Sequence, residues 1–239
     1  MAAQAGVRHS IKNPKDYMNS NVNGFFNILE ASKIIKLNHL IYASSSSVYG
    51  DSKRFPLKEI TNTDKPKSFY AATKKINEIM AYSYSVINKL PTTGLRFFTV
   101  YGNYGRPDMS LFLFTKAILE DRKINLHNFG NHIRDFTHVI DTVTYIAYLL
   151  DKPIKKGIPY QILNIGSERP KSLKYFLKII EKKLSKKAKI NFLDFQIGDV
   201  YKTYADNSLV KKITKYRPKI YIEKGINDFI EWYKNYYIK

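Results

Sequence analysis

Tyr70 and Lys74 are the residues of this chain best suited to moving a proton. Four residues apart on a helix, they share a face, so the ammonium can lie beside the phenol. A free tyrosine has a pKa of about 10 and is a weak base at neutral pH. A neighbouring positive charge is expected to lower that value. A tyrosine so tuned can take a proton from an alcohol while hydride leaves the same carbon. Upstream lies a run of four serines, Ser44, Ser45, Ser46 and Ser47, whose hydroxyls can bind the same oxygen. Tyr-x-x-x-Lys alone is a weak signal. A serine run, a polar loop and then the pair, in that order, is a much more specific one.

These residues need elements to hold them. Asn13–Lys36 reads as a helix, opened by the Asn13-Pro14 cap and carrying Val22, Phe25, Phe26, Leu29 and Ile34 at helical spacing. His39–Ser44 reads as a short buried strand that ends in the serine run. Ser68–Asn88 reads as a second long helix stopped by Pro91, and Thr93–Val100 as another strand. This alternation predicts an α/β fold with a parallel sheet, which places its chemistry at the carboxyl ends of the strands. Beyond Gly105 the rhythm loosens. A helix at Leu111–Leu119, strands near Ile124–Phe129 and Tyr160–Ile165, and helices at Ser172–Leu184 and Ile222–Tyr237 are expected to form mainly a smaller lobe. The division falls between residues 1–105 and 106–239, with some segments of the second part returning to the sheet.

Composition narrows the function. At 239 residues, 44% hydrophobic with 19 Tyr and 14 Phe, the chain can bury a large core. No run of about 18 apolar residues predicts a membrane span, and no segment has the charged-then-apolar pattern of a secretory signal. With no cysteine, disulfide and thiolate chemistry are excluded, and a cytoplasmic location is expected. The net charge of +20 raises nucleic-acid binding. The lysines are spread along the chain without a zinc-finger, zipper or RNA-binding signature, so they read as a solvated surface that attracts anionic small molecules. His39, His127, His132 and His138 have no metal-ligand spacing and read as structural; no metal is expected.

Motifs along the whole chain resemble the extended short-chain dehydrogenase/reductases that act on nucleotide sugars, most closely the UDP-glucuronate 4-epimerases. They are AAQAGVR at residues 2–8, SSSSVYG at 44–50, YAATKK at 70–75, GLRFFTVYG at 94–102, GRPDM at 105–109, RDFT at 134–137, NIG at 164–166 and GDV at 198–200. The resemblance implies a Rossmann-type doubly wound sheet with a substrate lobe, bound NAD, a UDP-uronic acid substrate and a homodimer formed through the two long helices. It makes Tyr70 the acid/base on the sugar 4-hydroxyl. Lys74 then lowers the tyrosine pKa and holds the nicotinamide ribose, while Ser45 bonds the reacting oxygen. On the cofactor side it places Ala2, Ala3, Gln4, Asn21 and Phe97; on the substrate side, Arg8, Ser46, Ser47, Thr99, Arg106, Arg134 and Asp199. Arg134 would meet the diphosphate and Asp199 the uridine ribose. From the residues alone, Arg134 could equally pair with Asp135, Arg106 could be a solvated loop arginine, and Asn21 a buried structural asparagine.

Related dehydratases carry Asp-Glu at Ser46-Ser47, and UDP-xylose-forming decarboxylases carry glutamate at Ser47. Two hydroxyls there favour epimerisation through a 4-keto intermediate, and Thr99, where epimerases of neutral UDP-glucose have asparagine, favours a uronate. A role in making surface-polysaccharide precursors is expected to follow. The resemblance has one gap. A dinucleotide fold opens with a glycine-rich turn that holds the pyrophosphate, and the sequence contains no Gly-x-x-Gly-x-x-Gly. The chain therefore reads as the C-terminal three quarters of such an enzyme, lacking two βαβ units of about thirty residues each. An inactive or split fragment that binds UDP-sugar without turnover is the competing expectation.

Overall fold

The computed structural model describes residues 3–196 and 198–238. Ala2 and Ile197 lie outside the described residues. The chain opens with a short helix that the sequence pattern did not signal, α1 (Val7–Lys12). The long helix expected from Asn13 is not uniform. It begins as α2 (Pro14–Tyr17), widens into a π-helical turn at Met18–Asn23 and continues as α3 (Gly24–Ile34). The wider turn carries the buried Asn21. Leu29 is fully buried as expected, but Phe26 and Ile34 are exposed on the outer side of α3, whose inner face meets α4 and, through Phe25, Tyr42 of the strand that follows.

Next come β1 (Leu40–Ser45), α4 (Phe69–Asn88) and β2 (Thr92–Phe97). α4 starts where expected because the Ser68 hydroxyl accepts the Ala71 N–H, an N-cap that satisfies an otherwise orphaned donor. β1 and β2 run parallel, with Ser45 opposite Phe97. The strand expected over Thr93–Val100 breaks at Phe98. Its amide still bonds the Ile165 carbonyl, while the Thr99 amide turns to the Asp135 carbonyl. The chain thus crosses from the main sheet into β3 (Thr99–Tyr101), which pairs elsewhere.

The remaining elements in chain order are α5 (Ser110–Leu119), β4 (Lys123–His127), β5 (Ile133–Arg134), β6 (Phe136–His138), α6 (Val139–Leu149) and β7 (Tyr160–Ile165). They are followed by β8 (Lys171–Ser172), α7 (Leu173–Leu184), β9 (Lys189–Leu193), α8 (Ser208–Thr214) and α9 (Ile222–Tyr237). β7 returns to the main sheet beside β2, giving the order β1-β2-β7, all parallel. β3 pairs with β6, β4 with β9 and β5 with β8. Gly94 is needed in β2: a Cβ there would sit 2.5 Å from Ile162 Cδ1 and 2.6 Å from the Tyr42 hydroxyl.

Two apolar clusters carry the fold. One lies under β2 and β7, where Leu95, Leu163 and Ile165 meet Tyr145 and Leu149 of α6 and Val210 of α8. The larger joins α5, α7 and α9, with Phe136 and Phe176 stacked 4.3 Å apart at its centre. The main sheet ends at β1, whose outer edge has no strand partner among the described residues. No helix among them is long and apolar enough to cross a membrane.

Candidate active site

The carboxyl ends of β1 and β2, the start of α4 and the segment before α1 converge. The turn Ser46–Tyr49 leaves β1 with the Ser45 hydroxyl accepting the Ser47 N–H at 3.2 Å. Ser45 is buried, whereas Ser46 and Ser47 are half-exposed. The Ser45 hydroxyl faces Tyr70 closely enough to favour its phenolate. Two hydroxyls, from the end of β1 and the start of α4, are thus brought to one place.

Lys74 lies one turn below Tyr70, with its Nζ 5.9 Å from the ring centroid. The ammonium donates to the Ala43 carbonyl at 2.9 Å, and burial pulls its pKa down to about 8. Burial pushes the Tyr70 phenol above its ordinary range, and what opposes this is the Ser45 hydrogen bond and the Arg106 charge. Arg106 is thus one charge that counters burial at the phenol, and Lys74 meanwhile donates to the strand carbonyl. An ammonium has three donors; one is used on Ala43.

The segment around Gln4 is held by two tethers. Asn21 accepts the Gln4 N–H (2.8 Å) and donates both to the Gln4 carbonyl (3.0 Å) and to the Thr73 hydroxyl (3.1 Å). The Tyr17 hydroxyl reaches the carbonyls of Ala5 (2.9 Å) and Gly6 (2.6 Å). Asn21 is thus a buried bracket between this segment and α4. Along the outer edge of β1 runs a groove of about 500 Å³ lined by Ala3, Gln4, Asn21, Phe25, Ala43 and Lys74. Phe97 is not on it. Its side chain packs against the apolar cluster beneath the sheet.

A second cavity, about 300 Å³, adjoins on the other side, lined by Arg8, Thr99, Arg106, Arg134 and Asp199 among others. These substrate-side candidates, scattered over 190 residues of sequence, are brought together. Arg8 is exposed on α1. Arg106 is braced by Asp108 through Nε at 2.9 Å and a second contact at Nη2. Arg134 spends Nη1 on the carbonyls of Ile133 (3.0 Å) and Tyr201 (3.1 Å), which leaves Nη2 and Nε for a ligand. It does not pair with Asp135. That carboxylate is fully buried and points the other way, accepting the amides of Ser167, Glu168 and Ala205 at 2.6, 3.1 and 3.0 Å.

Sequence reasoning missed two groups near the site. Glu78, four residues after Lys74 on the same face of α4, forms a buried two-point ion pair with Arg96 (2.8 Å at each contact). It also accepts the Ser44 hydroxyl at 2.6 Å. The i+4 step from Lys74 was its available signal. His132, read as structural, lines the second cavity; nothing local in the sequence points to that. Among the described residues no cluster of His, Cys, Asp or Glu could hold a metal ion.

Residues 1–166 match the family described as NAD dependent epimerase/dehydratase. The chain is 49% identical to Protein CapI of Staphylococcus aureus, over 100% of this chain and 76% of that protein. It is 40% identical to the Probable UDP-glucuronate 4-epimerase of Rhizobium meliloti, over 99% and 74%. The crystal structure of UDP-glucuronic acid 4-epimerase from Bacillus cereus, in complex with UDP-glucuronic acid and NAD, superposes with a TM-score of 0.93 at 33% identity. That match covers 99% of this chain and 74% of the other. A hydroxyl pair between a cofactor-sized groove and an arginine-lined cavity is what such an enzyme requires, and this chain belongs to the NAD dependent epimerase/dehydratase family.

Proposed function

We propose that the protein interconverts UDP-glucuronate and UDP-galacturonate by oxidation at C4 to a 4-keto sugar and reduction on the opposite face. The observation that carries this reading is the convergence of Ser45 at the end of β1 with Tyr70 at the start of α4, beside a cavity lined by Arg106 and Arg134, with hydroxyls and not carboxylates at Ser46 and Ser47. Ser46 and Ser47 stand where an eliminating enzyme needs an acid and a base. Tyr70 takes the 4-hydroxyl proton and later returns it, while Ser45 holds the same oxygen. Arg134 receives the diphosphate through Nη2 and Nε. Thr99 and the two serines face the sugar carboxylate and hold it in an orientation unsuited to loss of carbon dioxide.

NAD, when bound, supplies the hydride acceptor and then the donor. The donor set fits its nicotinamide ribose. Lys74 has two N–H groups left after Ala43, at the inner end of the groove along β1. None of the described residues forms the glycine turn at a helix N-terminus that a pyrophosphate uses. The test is to incubate the protein with UDP-glucuronate and NAD and identify products by NMR. UDP-galacturonate is expected; UDP-xylose with carbon dioxide would reassign it as a decarboxylase.

The unpaired outer edge of β1 favours a second reading, a chain that binds UDP-sugar without turning it over alone. UDP binding with no product and no bound NAD would select it. In either case Arg134→Ala should weaken UDP binding about tenfold or more, the worth of a hydrogen bond to a charged group. Calorimetric titration with UDP reads this directly, and unchanged affinity would remove Arg134 from the diphosphate site. The exposed apolar side chains of Ile34 on α3 and Ile79 and Ile87 on α4 support pairing of two copies through these helices.

A further inference from the structure

Arg106 reaches the second cavity from the loop between β3 and α5, and the shape of that loop is set elsewhere. At one end Gly102 takes a φ of 142° and lies so close to the start of α6 that a Cβ would sit 2.6 Å from Val139 Cγ1. The Gly105 amide then closes a tight turn on the Gly102 carbonyl at 3.2 Å. Inside that turn Tyr104 adopts a left-handed φ of 58°, a backbone state that is unfavourable for a bulky side chain. The residue is also 78% exposed, so burial does not hold it there. What holds it is α9. The Tyr104 ring lies 5.0 Å from Trp232 and 6.5 Å from Tyr236, centroid to centroid, and those two rings stack on each other at 5.6 Å. Trp232 lies in turn 5.3 Å from Phe229 and packs on the large apolar cluster. A line of aromatic contacts thus runs from the core through α9 to the loop.

We infer that Tyr104 is a positioning residue: its stack on Trp232 fixes the backbone from which Arg106 reaches the substrate cavity. The helix α9 thereby sets the aim of the guanidinium, although none of its described residues lines that cavity. Arg106 follows Tyr104 by two residues, so a shift of the turn is carried directly to its side chain. The brace from Asp108 does not replace the stack, because Asp108 is itself an exposed residue of the same loop. Space around the guanidinium is also narrow on the other side, where a Cβ on Gly6 would meet Nη2 at 3.2 Å. Stacking of two rings is a modest interaction. A displacement of about 1 Å is nevertheless enough to spoil the geometry of a charged donor toward its ligand. The inference rests on the UDP-sugar reading above, which puts Arg106 on the substrate side, and adds the residues that aim it.

The experiment is a double-mutant cycle read as UDP-glucuronate affinity by calorimetry, which requires no turnover. Arg106→Ala should weaken binding about tenfold or more, as expected for a lost charge-assisted contact. Tyr104→Asn, which suits the left-handed backbone but removes the ring, should weaken it about threefold to tenfold. Tyr104→Phe keeps the stack and should stay within about twofold of the parent. The double variant Tyr104→Asn with Arg106→Ala should bind within about twofold of Arg106→Ala alone, because no guanidinium is left to misplace. Trp232 is the single tryptophan of the chain, so its emission checks the stack itself: Tyr104→Asn should change it and Tyr104→Phe should largely preserve it. Additive losses in the double variant, full affinity or unchanged emission in Tyr104→Asn, or an Arg106→Ala protein that binds as tightly as the parent would each overturn the inference and leave the proposed function standing. No measurable binding of UDP-glucuronate by the unmodified protein would overturn both.

Discussion

Tyr70→Phe is expected to lower epimerase turnover by about a hundredfold to ten-thousandfold, the usual share of a positioned acid or base. The substitution removes one oxygen and preserves the ring, which packs edge-on against Tyr17 with centroids 6.1 Å apart. Ser45 retains its bond with the Ser47 amide. UDP affinity should therefore stay within about twofold, because the diphosphate contacts proposed for Arg134 lie on β5, apart from Tyr70 on α4. Product formation and calorimetry on the same preparation check both halves. Activity within tenfold of the parent would show that the proton travels elsewhere. Loss of UDP affinity matching that of Arg134→Ala would show that the two residues do not divide the work as argued.

The second large effect is on stability. Glu78 and Arg96 are 3% and 4% exposed and make two contacts of 2.8 Å. Around the guanidinium, the Glu59 carbonyl accepts at 3.0 Å and the Tyr49 ring lies 4.7 Å below. Removing one partner strands a charge in a site water does not reach. Glu78→Ala or Arg96→Ala should cost about 3–5 kcal/mol. The double replacement by leucines should cost less than the sum of the two singles, because no buried charge is then left over. Urea unfolding curves measure this. A cost for Glu78→Ala below about 1 kcal/mol would mean that the pair is solvated in solution. Because Glu78 also anchors the Ser44 hydroxyl, the damage should extend to its neighbour Ser45, and the singles should lose activity before they unfold.

Much of this was legible in the sequence because it is local. Tyr70 and Lys74 are one helical turn apart, Ser68 caps that helix, and Ser45 ends the strand before it; period and capping place all four. The gathering of Arg8, Thr99, Arg106, Arg134 and Asp199 rested on the resemblance, since no spacing rule joins residues so far apart. The structure brings them to one cavity. Three things were not legible. The π-helical turn at Met18–Asn23 depends on Asn21 reaching Thr73, more than fifty positions away in the chain. The break at Phe98 depends on Asp135 offering a carbonyl. The aim of the Lys74 ammonium depends on the Ala43 carbonyl, 31 positions upstream. In each case a contact distant in sequence overrode a local preference.

The neighbours Arg134 and Asp135 look like a surface ion pair in the sequence and are nothing of the kind. One faces the cavity; the other is fully buried and ties three separate stretches of backbone together. The Thr203 hydroxyl accepts the Asp135 amide at 3.1 Å, and Gly166 passes so close that a Cβ there would meet Asp135 Oδ2 at 3.1 Å. This has a consequence for amide hydrogen exchange. Ser167, Glu168 and Ala205 lie outside regular strands, where exchange is ordinarily fast. Each donates to this one carboxylate, so all three should exchange as slowly as core-strand amides, and together rather than one by one. Asp135→Asn, which swaps an acceptor for a donor among these amides, should release the three at once, whereas Arg134→Ala should leave them protected. Exchange measured by mass spectrometry on peptides covering 160–170 and 200–207 would show one residue of the pair guarding the backbone and the other not.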